Sequence, residues 1–209
     1  MLRILIADDH AIVRRGLKEI LEDDFPNSAI TEVGDAEELI KYVMRQEWDV
    51  VITDLSMPGR SGLEALQQIK ITYPKLPVLV LSVYSEEQYA VRVLKAGASG
   101  YLNKDMAADE LVEAVKRVLS GRKYITPAVA EKLANAFNFG SSKYSHEHLS
   151  DREFEVMKML ATGRSVSEIG AALYLSVTTI STYRSRILQK MNLKTNADLT
   201  QYALEHKLM

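Results

Sequence analysis

The chain has 209 residues, 47% hydrophobic and 26% charged, which suits one or two globular domains with real cores. No run of eighteen apolar residues marks a membrane span, and the absence of cysteine excludes a disulfide framework and a thiolate metal site. A net charge of −2 hides a split: residues 1–120 carry 14 basic and 20 acidic side chains, residues 141–209 carry 9 and 7.

The N-terminus, MLRILIADDH, has too short an apolar run, too soon followed by acids, for a signal peptide, so a cytoplasmic protein is expected. Strand and helix signals then alternate. RILIA (3–7), AITEV (29–33), DVVIT (49–53), PVLVLS (77–82) and GYLN (100–103) read as strands. IVRRGLKEILED (12–23), AEELIKYVMRQ (36–46), GLEALQQIKITY (62–73), EEQYAVRVLKAG (86–97) and ADELVEAVKRVLSG (108–121) read as helices. In the first helix Ile12, Leu17, Ile20 and Leu21 share one side. Five strands alternating with five helices predict a doubly wound α/β fold with a parallel sheet. The near-continuous apolar strands agree, because parallel strands are buried on both faces.

In such a sheet ligands gather beyond the carboxyl ends of the strands, where strand order reverses. Asp8 and Asp9 follow the first strand, Asp54 the third, Ser82 ends the fourth, and Asn103-Lys104 the fifth. Three crowded carboxylates repel one another, and a hard divalent cation resolves the conflict. Mg²⁺ is therefore the expected cofactor, held by Asp9, Asp54 and the Ser56 backbone carbonyl, with Asp8 at longer range or through water. One Asp54 oxygen is then free to attack phosphorus, with Mg²⁺, Lys104 and the Ser82 hydroxyl placed to stabilise phosphoryl oxygens. A D-x-D hydrolase would need a second acid at position 56, which is serine.

Residues 1–121 resemble a receiver domain (flavodoxin-like) of two-component response regulators, through ADDH, TDLSMPGRSGLEAL, LSVYS and GYLNKD. The resemblance implies that Asp54 is a phosphoacceptor supplied by a phosphohistidine of a sensor histidine kinase. It also implies a switch in which the Ser82 hydroxyl moves toward the phosphoryl group and the Tyr101 ring turns inward. Asp105 departs from the proline common after the family lysine.

TPAVAEKLANAF (126–137) reads as a short helix and NFGSSKYSHEH (138–148) as a polar connector, so 122–148 is expected to be a linker. From 149 onward only helices are predicted, four of them. Ser150 with Glu153 forms a capping box, and Ser176 caps the third helix. Residues 166–191 read as two helices joined at Tyr174-Leu175-Ser176, with Ile169, Ala172, Leu173, Ile180 and Ile187 between them. That is a helix-turn-helix pattern, although periodicity alone leaves an ordinary helical bundle equally open. Between 176 and 195 there are four basic residues and no acid, which fits phosphate contact or a solvated face.

LSDREFEVMKMLATGRSVSEIGAALYLSVTTISTYRSRILQKMNLKTNADLTQYA (149–203) resembles the LuxR/NarL-type four-helix DNA-binding domain throughout. The resemblance implies a dimer on a double-stranded operator, with Thr179, one of the matching positions, among the DNA-binding residues. Val166-Ser167 and Ser181 replace residues that often include lysine in the family. Base contacts are then expected from Ser181, Thr182 and Ser185, and phosphate contacts mainly from Arg184, Arg186, Lys190 and Lys194. The combined expectation is a phosphorylation-activated transcription regulator that is not a dedicated enzyme. It comprises a receiver (1–121), a linker and a DNA-binding domain (149–209), dimerises on activation and has no membrane partner. The competing reading is a phosphorylation-gated adaptor whose DNA-binding domain has lost function.

Overall fold

The structure is a computed structural model and describes residues 1–83, 86–105, 108–131, 145–206 and 208. The chain divides into two compact units, Met1–Leu133 and Ala134–Met209. In the first, strands and helices alternate: β1 (Leu2–Ala7), α1 (Ala11–Asp24), β2 (Ser28–Val33), α2 (Ala36–Arg45), β3 (Val50–Asp54), α3 (Gly62–Thr72), β4 (Val78–Ser82), α4 (Glu86–Lys95), β5 (Gly100–Asn103) and α5 (Ala108–Leu119). All strand pairs are parallel, in the order β2-β1-β3-β4-β5. Strand order reverses between β1 and β3, so the crevice for a ligand lies where Ala7 and Asp54 end their strands.

Every residue of β3 and β4 is buried, as expected of central parallel strands. Ile4, Ile6, Ile52, Leu79 and Leu81 form one face of the sheet and pack with Leu17 and Leu21 of α1 and Leu111, Val115 and Val118 of α5. The alternate residues Leu5, Val51 and Val80 are fully buried as well, so the opposite face is also covered. Ile12 departs from the predicted stripe and is 89% exposed. It sits in the first turn of α1, directly after the strand-end acids.

The connection from β3 to α3 is built tightly. Gly59 takes the left-handed region (φ 74°), and Ser61 caps α3 in a reciprocal box with Glu64. The Gly62 amide donates to the Leu55 carbonyl at 2.9 Å. A Cβ on Gly62 would lie 1.8 Å from the Asp54 carbonyl oxygen, so no other residue fits there without moving the chain.

Part of the expected linker is built onto the first unit. Tyr124 bridges in parallel to Gly100, its amide donates to the Ser99 carbonyl at 2.8 Å, and its hydroxyl donates to Glu110 at 3.1 Å. Residues 127–131 are helical, with Val129 buried. The remainder of the predicted short helix and the Gly-Ser-Ser connector, at 132–144, lie outside the described residues.

The described part of the second unit begins with a 3-10 turn (Ser145–His148) and contains α6 (Asp151–Ala161), α7 (Val166–Leu173), α8 (Val177–Met191) and α9 (Asn196–Glu205). Ser150, Ser165 and Thr195 each form a full capping box, and Ser176 caps α8 through the Thr179 amide. Ile169, Leu173, Ile180, Ile187 and Leu199 are buried in its core. Ala172, predicted to pack between α7 and α8, is instead exposed; so small a side chain in the last turn loses little by facing water. No described helix is long and apolar enough to cross a membrane.

Candidate functional site

The carboxyl rim of the sheet brings four predicted residues together. Asp8 is fully buried and Asp54 is 2% exposed, while Asp9 is partly exposed. The Lys104 ammonium lies 2.6 Å from Asp8 Oδ2 and 2.7 Å from Asp54 Oδ2, joining the ends of β1 and β3 from the far side of β4. Lys104 is itself held by its amide, which donates to the Ser82 carbonyl at 2.9 Å. The Ser56 amide donates to Asp54 Oδ1 at 3.2 Å, so the turn after β3 wraps the carboxylate. Ser82 is fully buried at the end of β4, one residue beyond Leu81, the β-partner of Asp54. Tyr101 is buried in β5, paired with Val80.

Burial pushes the Asp54 carboxyl above its ordinary value, the Asp8 charge adds to the rise, and Lys104 and the Ser56 amide offset it only in part. For Lys104, burial alone would lower the pKa, but hydrogen bonds to Asp54 and Asp8 outweigh it and hold the ammonium above its ordinary value. Three carboxylates facing one ammonium leave the pocket short of positive charge. Donor atoms of Asp8, Asp9 and Asp54 lie within 4.8 Å of one another, together with one from His10. This mostly oxygen donor set fits a hard divalent cation.

In the second unit α7 and α8 meet at a turn where Tyr174 adopts a left-handed conformation (φ 54°). The turn lies so close to α7 that a Cβ on Gly170 would be 2.8 Å from the Leu175 carbonyl. The far side of α8 is open, and a shallow groove there is lined by Ser176, Thr178, Thr179, Thr182, Tyr183 and Arg186.

Residues 4–116 match the response regulator receiver domain family, and residues 147–203 match the family of bacterial regulatory proteins, luxR family. The oxygen regulatory protein NreC of Staphylococcus carnosus is 38% identical, covering 100% of this chain and 99% of that protein. The response regulator UvrY of Escherichia coli K12 is 35% identical, covering 100% and 96%. The chain is a two-component response regulator with a LuxR-type DNA-binding domain. Among solved structures, RcsB of Salmonella enterica serovar Typhimurium, bound to promoter rprA with the phosphomimetic BeF₃⁻, is similar. Its TM-score is 0.65 at 28% identity over 97% of this chain and 98% of that one. The five-stranded parallel sheet and the helical domain after it are thus the receiver and LuxR-type folds that the sequence pattern predicts.

The structure distributes the eight expected DNA contacts of this regulator unevenly. Ser181, Thr182, Ser185, Arg186 and Lys194 are exposed, and Thr179 is half-buried beside its cap Ser176. The Thr182 and Ser185 hydroxyls donate to carbonyls four residues earlier, Thr178 and Ser181, leaving oxygen lone pairs outward. Arg184 is half-buried and donates to Asn196 Oδ1 at 2.7 Å. Lys190 has a protein partner: its ammonium lies 2.6 Å from Glu153 Oε2, a carboxylate that is 4% exposed and that also accepts from the Ser150 amide. Burial works to raise the Glu153 pKa, but Lys190 and the Ser150 bonds outweigh it and hold the carboxyl below its ordinary value.

Sequence reading missed three groups at the sites. Gly62 stands against the Asp54 carbonyl, Arg14 donates to the Asp8 carbonyl, and His10 leans over the acids. The signal for His10 and Arg14 is present, since they follow the acid pair directly and one helical turn later.

Proposed function

We propose that Asp54 is the phosphoacceptor of this regulator and that its modification controls operator binding through α8. One observation carries the reading: a lysine ammonium shared between two buried carboxylates at the point where strand order reverses. An Asp54 oxygen forms the new P–O bond as the P–N bond to a histidine of a sensor kinase breaks, and the leaving imidazole takes a proton. Lys104, pinned by the Ser82 carbonyl, follows the developing negative charge on the phosphoryl oxygens. Asp8 and Asp9, with the Ser56 backbone carbonyl, would hold Mg²⁺, which when bound supplies the remaining positive charge. The Ser82 hydroxyl is placed at the adjoining strand end to turn toward the phosphoryl group, and Tyr101 answers that motion within β5.

On α8, Ser181, Thr182 and Ser185 read base edges, and Arg186, with Lys194 beyond its end, contacts phosphates. RcsB, a protein of similar fold, is bound to DNA in solved structures, which supports DNA binding by this chain. The protein acts in the cytoplasm as a homodimer on DNA once activated, and as a regulator rather than a dedicated enzyme. The receiver domain takes residues 1–121 and the DNA-binding domain 149–209, with 122–148 joining them; the two matched families support this division.

The acceptor claim is tested by incubating the protein with Mg²⁺ and a small acyl phosphate and measuring intact mass. Wild type gains one phosphoryl group and Asp54→Ala gains none. Equal gain by the two proteins refutes the assignment.

A further inference from the structure

The acid pocket holds a donor that phosphoryl acceptance does not use. His10 occupies the N-cap position of α1, yet its side chain makes no capping bond. It turns to the acids instead: Nδ1 lies 2.7 Å from Asp9 Oδ1 and 3.3 Å from Asp8 Oδ1. The His10 amide donates to Asp8 Oδ1 at 2.8 Å, which fixes the backbone that carries the ring. One donor atom each from Asp8, Asp9, His10 and Asp54 falls within 4.8 Å of the others, so small side-chain adjustments bring all four onto a single ion. Lys104 does not compete for this position, because it engages Asp8 Oδ2 and Asp54 Oδ2, whereas the imidazole faces Asp8 Oδ1.

An all-oxygen pocket suits Mg²⁺, which takes nitrogen ligands poorly. An imidazole changes the preference, because affinity of mixed N/O sites rises along the first-row series toward Ni²⁺ and Cu²⁺ and remains high at Zn²⁺. We propose that His10 is a fourth ligand, making the pocket a mixed carboxylate–imidazole site that takes Co²⁺, Ni²⁺ and Zn²⁺ more tightly than Mg²⁺. The inference rests on the pocket being the cation site of the phosphoacceptor. The consequence is a receiver whose acceptor centre distinguishes divalent cations by their affinity for nitrogen.

The test titrates the full-length protein with CoCl₂ and, separately, MgCl₂, following heats of binding and the visible absorption of Co²⁺. Wild type binds Co²⁺ at least roughly tenfold more tightly than Mg²⁺. His10→Gln loses about tenfold or more in Co²⁺ affinity and keeps Mg²⁺ affinity within about twofold. Its side chain is 66% exposed, so the substitution leaves the core intact. Asp54→Asn weakens both ions, assigning them to this pocket rather than to His146, His148 or His206. Mg²⁺ binding that depends on Asp54, with Co²⁺ affinity unchanged in His10→Gln or no tighter than Mg²⁺ in wild type, overturns this inference alone. Absence of Asp54-dependent binding of either ion overturns both it and the cation site of the acceptor.

Discussion

Asp54 is a buried carboxylate whose ionised form is less favourable in the folded protein than in water. A carboxyl raised in this way contributes its full stability below its unfolded pKa and loses it as pH rises through the folded one. Asp54→Asn should therefore raise the melting temperature of the first unit at neutral pH, with the advantage shrinking as pH falls toward the ordinary value of 3.8. The single tryptophan, Trp48, is 8% exposed in this unit, and its fluorescence reports unfolding there without interference from the second. A variant less stable than wild type at neutral pH would show that Lys104 more than offsets the burial. Gly62 gives a sharper steric test. Gly62→Ala forces a Cβ onto the Asp54 carbonyl and should cost about 2–3 kcal/mol, with phosphorylation impaired. Gly16→Ala, in α1 with no atom within 4 Å of the added Cβ, should instead stabilise by about 0.5–1 kcal/mol. The same fluorescence melt compares the two variants. At this scale the acids and Lys104 are legible because strand ends converge on one rim. The role of Gly62 is not, because it depends on how closely α3 returns to the end of β3.

Among elements, strand–helix alternation is readable because each apolar run has its own period and punctuation. The exceptions mark what periodicity cannot report: Ile12 keeps the helical spacing but faces solvent. Lys190 illustrates the same limit in the second unit. Its place in a basic stretch suggests phosphate contact, but the fold brings it to Glu153, 37 residues earlier. The pair ties the C-terminal half of α8 to the capping box of α6, so Lys190 helps to position α8. Lys190→Met should destabilise the second unit by about 1–2 kcal/mol, because a mostly buried carboxylate loses its charged partner. It should leave the salt dependence of DNA binding unchanged, whereas Arg186→Ala should reduce that slope by about one. Operator titrations at several salt concentrations separate the two roles. A reduced slope for Lys190→Met would return it to the phosphate contacts.

For the whole molecule, two compact units with separate chemistries are joined in one chain, and the function requires the state of one to reach the other. Two domains are legible because strand–helix alternation stops where the polar connector begins. Their exact division is not, because Tyr124 extends the first unit by bridging to β5, a pairing that no local pattern announces. The central claim is that phosphorylation of Asp54 strengthens operator binding by α8. The most direct measurement is the affinity of full-length wild type and Asp54→Ala for a selected operator fragment, with and without Mg²⁺ and an acyl phosphate. The prediction is that phosphodonor tightens wild-type binding by roughly tenfold or more and leaves Asp54→Ala unchanged. Tightening of equal size in Asp54→Ala, or none in wild type that carries the phosphoryl group, would contradict it.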